Sequence, residues 1–397
     1  VAADYLLDWA NLLLRWAHVV VAIAWIGSSF YFVFLDSNLA PPTDPELKAR
    51  GVDGELWAVH GGGFYNPQKY FVAPPRIPEK LHWFYWESYS TWLTGFALFT
   101  LLYLLRPSTL LVDPSVFNWS PGAAIVAALA FLAIFWLVYD AVCRTFGQRP
   151  GGERIVAVWV SIVVVAAAWA ACQLFAGRAA FLLVGAMLAT AMTANVAHWI
   201  IPGQRKVIAQ VQAGQAVDPV HGRRGKQRSV HNTYFTLPVL VAMLSNHYGF
   251  LYGARHNWLV LVVLMAAGAL IRHSFVARHR ARMEARRVPW EYATAGALML
   301  LGVVVWLAPV GQPVAQVPVS FAQVRQIVSE RCVLCHGERM VNKNVQLHTP
   351  ELVRQHAQAI YQQAVVQKTM PLNNATQMTE AERAVLKRWV ESGARRE

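Results

Sequence analysis

The chain has 397 residues, of which 56% are hydrophobic and only 14% charged, with a mean hydropathy of +0.33. Soluble domains carry about 25% charged residues, so this balance excludes a wholly soluble protein and puts much of the chain in lipid. The formal charge of +13 would suit a nucleic-acid binder, but basic residues also gather on one side of membrane proteins, and their positions decide between the two.

Eight apolar stretches, 9–35, 83–105, 121–142, 154–175, 178–201, 232–251, 257–277 and 290–309, each reach the length of a membrane-spanning helix. The first exceeds the roughly 7–15 residues of a signal-peptide core and reads as a retained helix. The connection 36–82 is long and rich in Gly, Pro and aromatic residues. Its strand-like "GFYNPQKYFV" carries a turn signal at Asn66-Pro67, and loops of this length tend to be functional or disordered. The connections after spans one, three, five and seven hold nineteen Lys and Arg, from Lys48 to Arg287; the alternate ones hold Arg106, Arg178 and Arg255. Positive charge stays cytoplasmic, so both termini are expected on the periplasmic side, and the basic balance reflects topology, not nucleic-acid binding.

Ionisable groups inside spans are costly and usually functional. With this topology His82, Glu87, Asn195, His198, His231, Asn232, Arg272 and His273 fall in the inner half, and His18, Asn246 and His247 in the outer half. Each has a plain reading: a histidine at a span end as an interfacial hydrogen-bonding group, Glu87 as a partner of Arg272, the aromatic residues around 83–92 as an interfacial belt. His18, well inside the first span, is the hardest to dismiss. His18 and His247 share one half of the membrane and could hold a haem b between helices.

After Pro309 the composition changes. Residues 310–318 read as a Pro-rich spacer, and 319–397 as a small soluble domain. Its "CVLCH" places Cys332, Cys335 and His336 at c-type haem attachment spacing. On a short helix the three share a face, so two thiols can bond the haem edge while His336 ligates the iron. "KTMPL" offers Met370 as the second axial ligand, the His/Met pattern that raises the potential; Met340 and His348 are the fallbacks. Zinc would need four ligands, whereas Cys143 and Cys172 are isolated in spans. A disulfide would leave His336 unexplained. Thr379 with Glu382 forms a capping-box spacing for the last helix, which Gly393 closes. The expected fold is all-α: an eight-helix transmembrane bundle over 1–309 and a periplasmic class I-like cytochrome c domain over 319–397.

"RWAHVVVAIAWIGSSFYF", "GELWAVHGGGFY", "LHWFYWESYSTWLTGF", "RSVHNTYFTLPVLVAMLSNHY" and the tail's "KTMPLNNATQMTEAER" resemble the membrane-integral bacterial urate oxidases, or urate hydroxylases, that end in a cytochrome c domain. The resemblance covers nearly the whole chain. It implies oxidation of urate to 5-hydroxyisourate in purine degradation with oxygen from water, the electrons passing to haem c and then to a terminal oxidase or a soluble cytochrome c. A planar purine anion wants a cation, aromatic faces and fixed donors. Arg272, Trp83, Tyr234, Asn195, Asn232 and His198 are of those types, with a histidine or Glu87 as general base. An outer-half site around His18 and His247 is the alternative, closer to the haem. The same residues would suit a quinone headgroup, so a quinol:cytochrome c oxidoreductase or a simple electron conduit is the rival reading.

Overall fold

The computed structural model describes residues 2–70, 73–283, 286–308, 319–338 and 345–395; the expected spacer 310–318 and Met340 lie outside them. The first half holds α1 (Ala2–Asn38), α2 (Pro45–Ala49), α3 (Trp86–Phe99), α4 (Pro107–Leu110), α5 (Pro121–Phe146), α6 (Gly152–Leu174) and α7 (Gly177–Asn195). Then come α8 (Ile201–Gln212), α9 (Pro219–Leu244), α10 (Gly249–Tyr252), α11 (Asn257–Met283) and α12 (Glu291–Trp306). The tail contributes α13 (Phe321–Arg331), α14 (Val333–His336), α15 (Pro350–Gln355), α16 (Ala357–Ile360) and α17 (Glu380–Glu391). Several starts are legible as a capping side chain before proline: Asp44-Pro45, Ser120-Pro121, Asp218-Pro219 and Thr349-Pro350. In each, the capping oxygen accepts an otherwise unpaired N–H of the first turn.

The protein is mostly helical, and among the described residues five helices are long and apolar enough to cross a membrane: Tyr5–Asn38, Pro121–Phe146, Gly152–Leu174, Gly177–Gln212 and Asn257–Arg278. The other three expected spans differ for separate reasons. α3 has 14 residues and continues only as a five-residue π segment, Thr100–Leu104. α9 starts well before residue 232 and takes in Arg223, Arg224, Lys226 and Arg228, so it is long but not apolar; α12 is apolar but has 16 residues. The all-α expectation also needs amendment. β1 (Val52–Glu55) pairs with β4 (Gln68–Tyr70), and β2 (Ala58–His60) with β3 (Gly63–Tyr65), both antiparallel. The tight turn falls at Gly61-Gly62, both at positive φ, where glycine carries no Cβ penalty. Asn66-Pro67 merely joins strands of two different sheets.

α7 is apolar all round and is the buried centre of the bundle, packed by α3, α5, α6 and α9, while α1 lies outside against α3 and α11. Small residues set the close approaches. A Cβ on Gly185 would stand 2.9 Å from that of Ala242 on α9, and one on Gly268 would stand 3.0 Å from Leu237, beside the Pro238 ring inside α9. After α7 the helix runs through a π segment, Val196–Ile200, into α8. Pro202 has no N–H for the His198 carbonyl, and the chain widens there so that Ile201 N–H reaches Val196 instead.

A second core gathers Phe321, Val324, Val328, Leu386 and Trp389 of α13 and α17. The 3₁₀ turn Leu372–Asn374 of this tail meets α4, and Gly249 in α10 lies so close to the Gln367 carbonyl that a Cβ would collide with it. α4 and α10 belong to connections on the side assigned to the tail from charge. The expected capping box is present, with Thr379 Oγ1 accepting from Glu382 N–H and the Glu382 carboxylate accepting from Thr379 N–H at 2.6 Å. Burial would raise the Glu382 carboxyl, but hydrogen bonds from Thr379 and Arg331 outweigh it and hold the group below its ordinary value. That contribution is present above the unfolded carboxylate pKa of about 4.3 and is lost as pH falls through the lower folded value. Thr379→Ala should cost the tail about 1 kcal/mol, read as faster amide exchange in α17 of the full chain at neutral pH.

Candidate functional site

Two groups of polar side chains lie inside the bundle, and their hydrogen bonding sets them apart. The first joins α5, α7 and α9. Asn195 Nδ2 donates to Tyr139 Oη and to Asn232 Oδ1, each at 2.9 Å, and Asn232 Nδ2 donates to the Met192 carbonyl at 3.0 Å. Arg228 donates to Asp140 Oδ1 at 2.7 Å and to Asn195 Oδ1 at 3.3 Å. Asp140 also accepts from Trp199 Nε1 at 2.7 Å and pairs with Arg144 at 2.6 Å. His231 Nδ1 lies 2.8 Å from Tyr139 Oη. Asn195, Asp140 and Arg228 are buried, and their polar atoms are mutually engaged. Such a network fixes helix positions; it has little left for a ligand.

The second group is left incomplete. Arg272 of α11 is 2% exposed, yet its Nε and Nη2 have no hydrogen-bond partner, and neither do Ser88 Oγ and Glu87 Oε2 on α3. The Arg272 guanidinium lies over the Phe30 ring of α1, 4.2 Å from its centre. Packing puts these groups at one level. α1 and α3 run antiparallel, with His18 Nδ1 3.0 Å from Thr94 Oγ1 and Phe32 against Phe84. Phe30, and with it Arg272, therefore falls within about a turn of Glu87. Among the described residues no ion pair joins Glu87 to Arg272, so the pairing read from sequence does not form. Tyr234 Oη and His273 Nδ1, 2.6 Å apart, tie α9 to α11 nearby, and Thr193 Oγ1 donates to the Ser88 carbonyl at 3.5 Å. Buried polar groups are nearly always satisfied; Arg272 on α11 and Ser88 and Glu87 on α3 are left with bare polar atoms at about one level, and no hydrogen bond or ion pair joins the two helices' groups among the described residues.

The remaining intramembrane candidates lie elsewhere. His198 is exposed and packs on the Trp136 ring of α5 with centres 5.3 Å apart. His82 packs on Phe84, and Trp83 under Arg205. His18 lies in the gap left by Gly95, where a Cβ would come within 2.9 Å of its ring. His247 stands exposed in the 3₁₀ turn after α9, and no contact joins it to His18 among the described residues. Asn246 beside it accepts from Tyr103 Oη at 2.9 Å and from Arg178 Nε at 3.1 Å.

In the tail, Cys332 at the N-cap of α14 and Cys335 within that helix are both free thiols. Burial pushes the Cys332 thiol up to about 11. His336 Nδ1 is 3.1 Å from the Val345 carbonyl. Donation there fixes the tautomer and leaves Nε2 as a ligand atom. Arg383 bridges the motif to the Met370 loop: its guanidinium donates to the Met370 carbonyl at 2.8 Å and to that of Ala364, and its charge is felt by Cys332. His348 Nδ1 is buried without a partner. Among the described residues no three His, Cys, Asp or Glu converge on one point. Two thiols and one imidazole with a free nitrogen are the donors that covalent haem requires.

A family model described as urate oxidase N-terminal matches residues 4–308. The chain belongs to that family. No match to a curated protein or to a solved structure was found. The family's segment contains both intramembrane polar groups and all the helices that bury them, and it stops short of the cysteine motif. Family membership makes the chain a urate oxidase-like protein and an oxidoreductase by relationship.

Sequence reasoning missed Tyr139, Asp140, Arg228 and Ser88. Asp140 was the available signal, since a carboxylate inside an otherwise apolar span demands a cation. Arg228 passed for a loop charge because α9 was expected to begin after it.

Proposed function

We propose that this protein is a membrane-bound urate oxidase that converts urate to 5-hydroxyisourate with water as the oxygen source, passing the electrons through a covalent haem c on its own tail. The bare Arg272 guanidinium within a urate oxidase family segment carries the reading. The step balances as urate plus water giving 5-hydroxyisourate, two protons and two electrons. Arg272 holds the anion, with Phe30 backing the guanidinium on its other face, and Ser88 Oγ orients the purine edge. Asn232 does not take the role expected of it, because both ends of its amide are already bonded to Asn195 and to the Met192 carbonyl. Glu87, whose Oε2 has no partner, takes the proton from the attacking water.

Cys332 and Cys335 would hold the haem covalently, with His336 and Met370 as the residues that would ligate its iron, and the group would supply one-electron redox chemistry there. Arg272 stands fifteen residues into α11, about 22 Å along the helix from its start, which is the tail's end of the bundle by the charge-based topology. A haem b between His18 and His247 would shorten that path, since Thr94 engages His18 Nδ1 and leaves Nε2 for a ligand bond. The inner membrane with both termini periplasmic, and a terminal oxidase or soluble cytochrome c as acceptor, complete the reading.

The test is anaerobic. Purified protein given urate should develop the reduced haem c band, two equivalents of haem per urate, while xanthine leaves it oxidised. Reduction by ubiquinol and not by urate would favour the quinol:cytochrome c oxidoreductase.

A further inference from the structure

At the end of the bundle that carries the basic connections, the last turn of α5, the π segment before α8 and the first half of α9 enclose a 260 Å³ cavity. Its walls include Arg144, Gln148, Trp199, Arg224, Gln227 and Arg228. Three guanidinium carbons, those of Arg144, Arg224 and Arg228, lie 5.1, 5.9 and 5.0 Å from the centre of the Trp199 ring. Trp199 is itself fixed by its Nε1 bond to Asp140.

The charges do not balance. Asp140 is the carboxylate of this cluster, and both its oxygens are engaged: Oδ2 by Arg144, Oδ1 by Arg228 and Trp199. Among the described residues no carboxylate pairs with Arg224. Three guanidiniums against one carboxylate leave two positive charges on the cavity walls, with Arg228 buried at the base and Arg144 and Arg224 on the exposed rim. The arrangement is held open from below. Gln227 Nε2 donates to the Gly147 carbonyl at 3.0 Å, and a Cβ on Gly147 would collide with the Gln227 amide.

We infer that this cavity binds a phosphate group, supplied by the headgroup of an anionic phospholipid. Guanidinium forks match phosphate oxygens in pairs, and basic pockets between helices on the positively charged side of a membrane protein suit such headgroups. The lipid source is favoured over free phosphate by the surface leading away from the cavity. Ile134, Leu137 and Val138, one to three turns earlier on α5, are exposed apolar residues along which acyl chains can lie. The site is separate from the groups around Arg272 and needs none of them.

The experiment uses the full-length protein, purified in mild detergent. Bound lipid is extracted and quantified by mass spectrometry for the parent and for Arg144→Gln/Arg224→Gln, which leaves the buried Arg228–Asp140 pair in place. The parent should retain phosphatidylglycerol or cardiolipin, and the double variant roughly tenfold less, as expected from losing charge-assisted contacts. Circular dichroism confirms that the variant is folded. If it is not, Arg224→Gln alone, which breaks no ion pair, serves instead. In a second arm, delipidated protein is melted with phosphatidylglycerol micelles, with phosphatidylcholine micelles or with inorganic phosphate. Stabilisation by phosphatidylglycerol alone, absent in the variant, supports the proposal. Equal stabilisation by inorganic phosphate would transfer the site to a soluble anion and overturn the lipid assignment. Equal lipid retention by parent and variant would overturn the site altogether.

Discussion

Arg272→Met should weaken urate binding roughly 10–100-fold while leaving the melting temperature unchanged or higher. Hydrogen bonds to a charged group contribute about 1.5–3 kcal/mol, and each 1.4 kcal/mol is a factor of ten in affinity. Stability should move the other way because Arg272 is 2% exposed with two guanidinium nitrogens unbonded. Without ligand it is a buried charge with no counter-charge, and replacing such a group by an apolar side chain of similar size removes its desolvation penalty. The Phe30 contact returns part of that, about 0.5–2 kcal/mol. Arg228→Met should show the opposite pattern. It removes the buried cation of the Asp140 pair and leaves the carboxylate to the exposed Arg144 and to Trp199, at a cost toward the low end of about 3–5 kcal/mol. Urate titration calorimetry and thermal melts on both variants check the contrast. A large fall in melting temperature for Arg272→Met with urate affinity unchanged would make Arg272 a structural residue and remove the proposed site.

Cys332→Ala/Cys335→Ala should abolish covalently bound haem, so that haem staining no longer follows the polypeptide on a denaturing gel. Each thiol supplies one thioether, and neither is committed elsewhere, since both are free in the folded chain. Single variants should keep a reduced amount of haem through the remaining bond. His336→Ala keeps both thiols, and Met370→Ala keeps thiols and imidazole. The first should therefore disturb the iron's spectrum severely, and the second should lower the potential, as expected from losing the His/Met pair. Staining that survives the double cysteine variant would move any haem of this protein into the bundle. That result would leave the Arg272 prediction standing, because the two rest on different segments of the chain.

How much could be read without coordinates varies with the kind of interaction. Local structure was legible: the capping box at Thr379–Glu382 depends on residues three positions apart. Membrane character was equally plain, because hydropathy is a sum over neighbours. Span boundaries were less so. Where α9 begins is decided by the Asp218-Pro219 cap and by Arg228 finding Asp140, which lets a charged stretch continue as buried helix. The polar residues Glu87, Asn195, Asn232 and Arg272 could be picked out one by one for their cost in lipid.

Their roles could not be assigned that way. Asn195 and Asn232 are satisfied by each other, by Tyr139 and by the Met192 carbonyl, whereas Arg272 and Ser88 are equally buried and left bare. Whether a buried polar atom is paired depends on which helix lies opposite and at what height. Asp140 and Arg228 meet across 88 residues of chain, through the packing of α5 and α9 around α7. The sequence by itself determined which residues are too costly to be in lipid without a purpose; only the tertiary structure decided which of them already have a partner, because pairing is a property of the space between helices and not of any one helix.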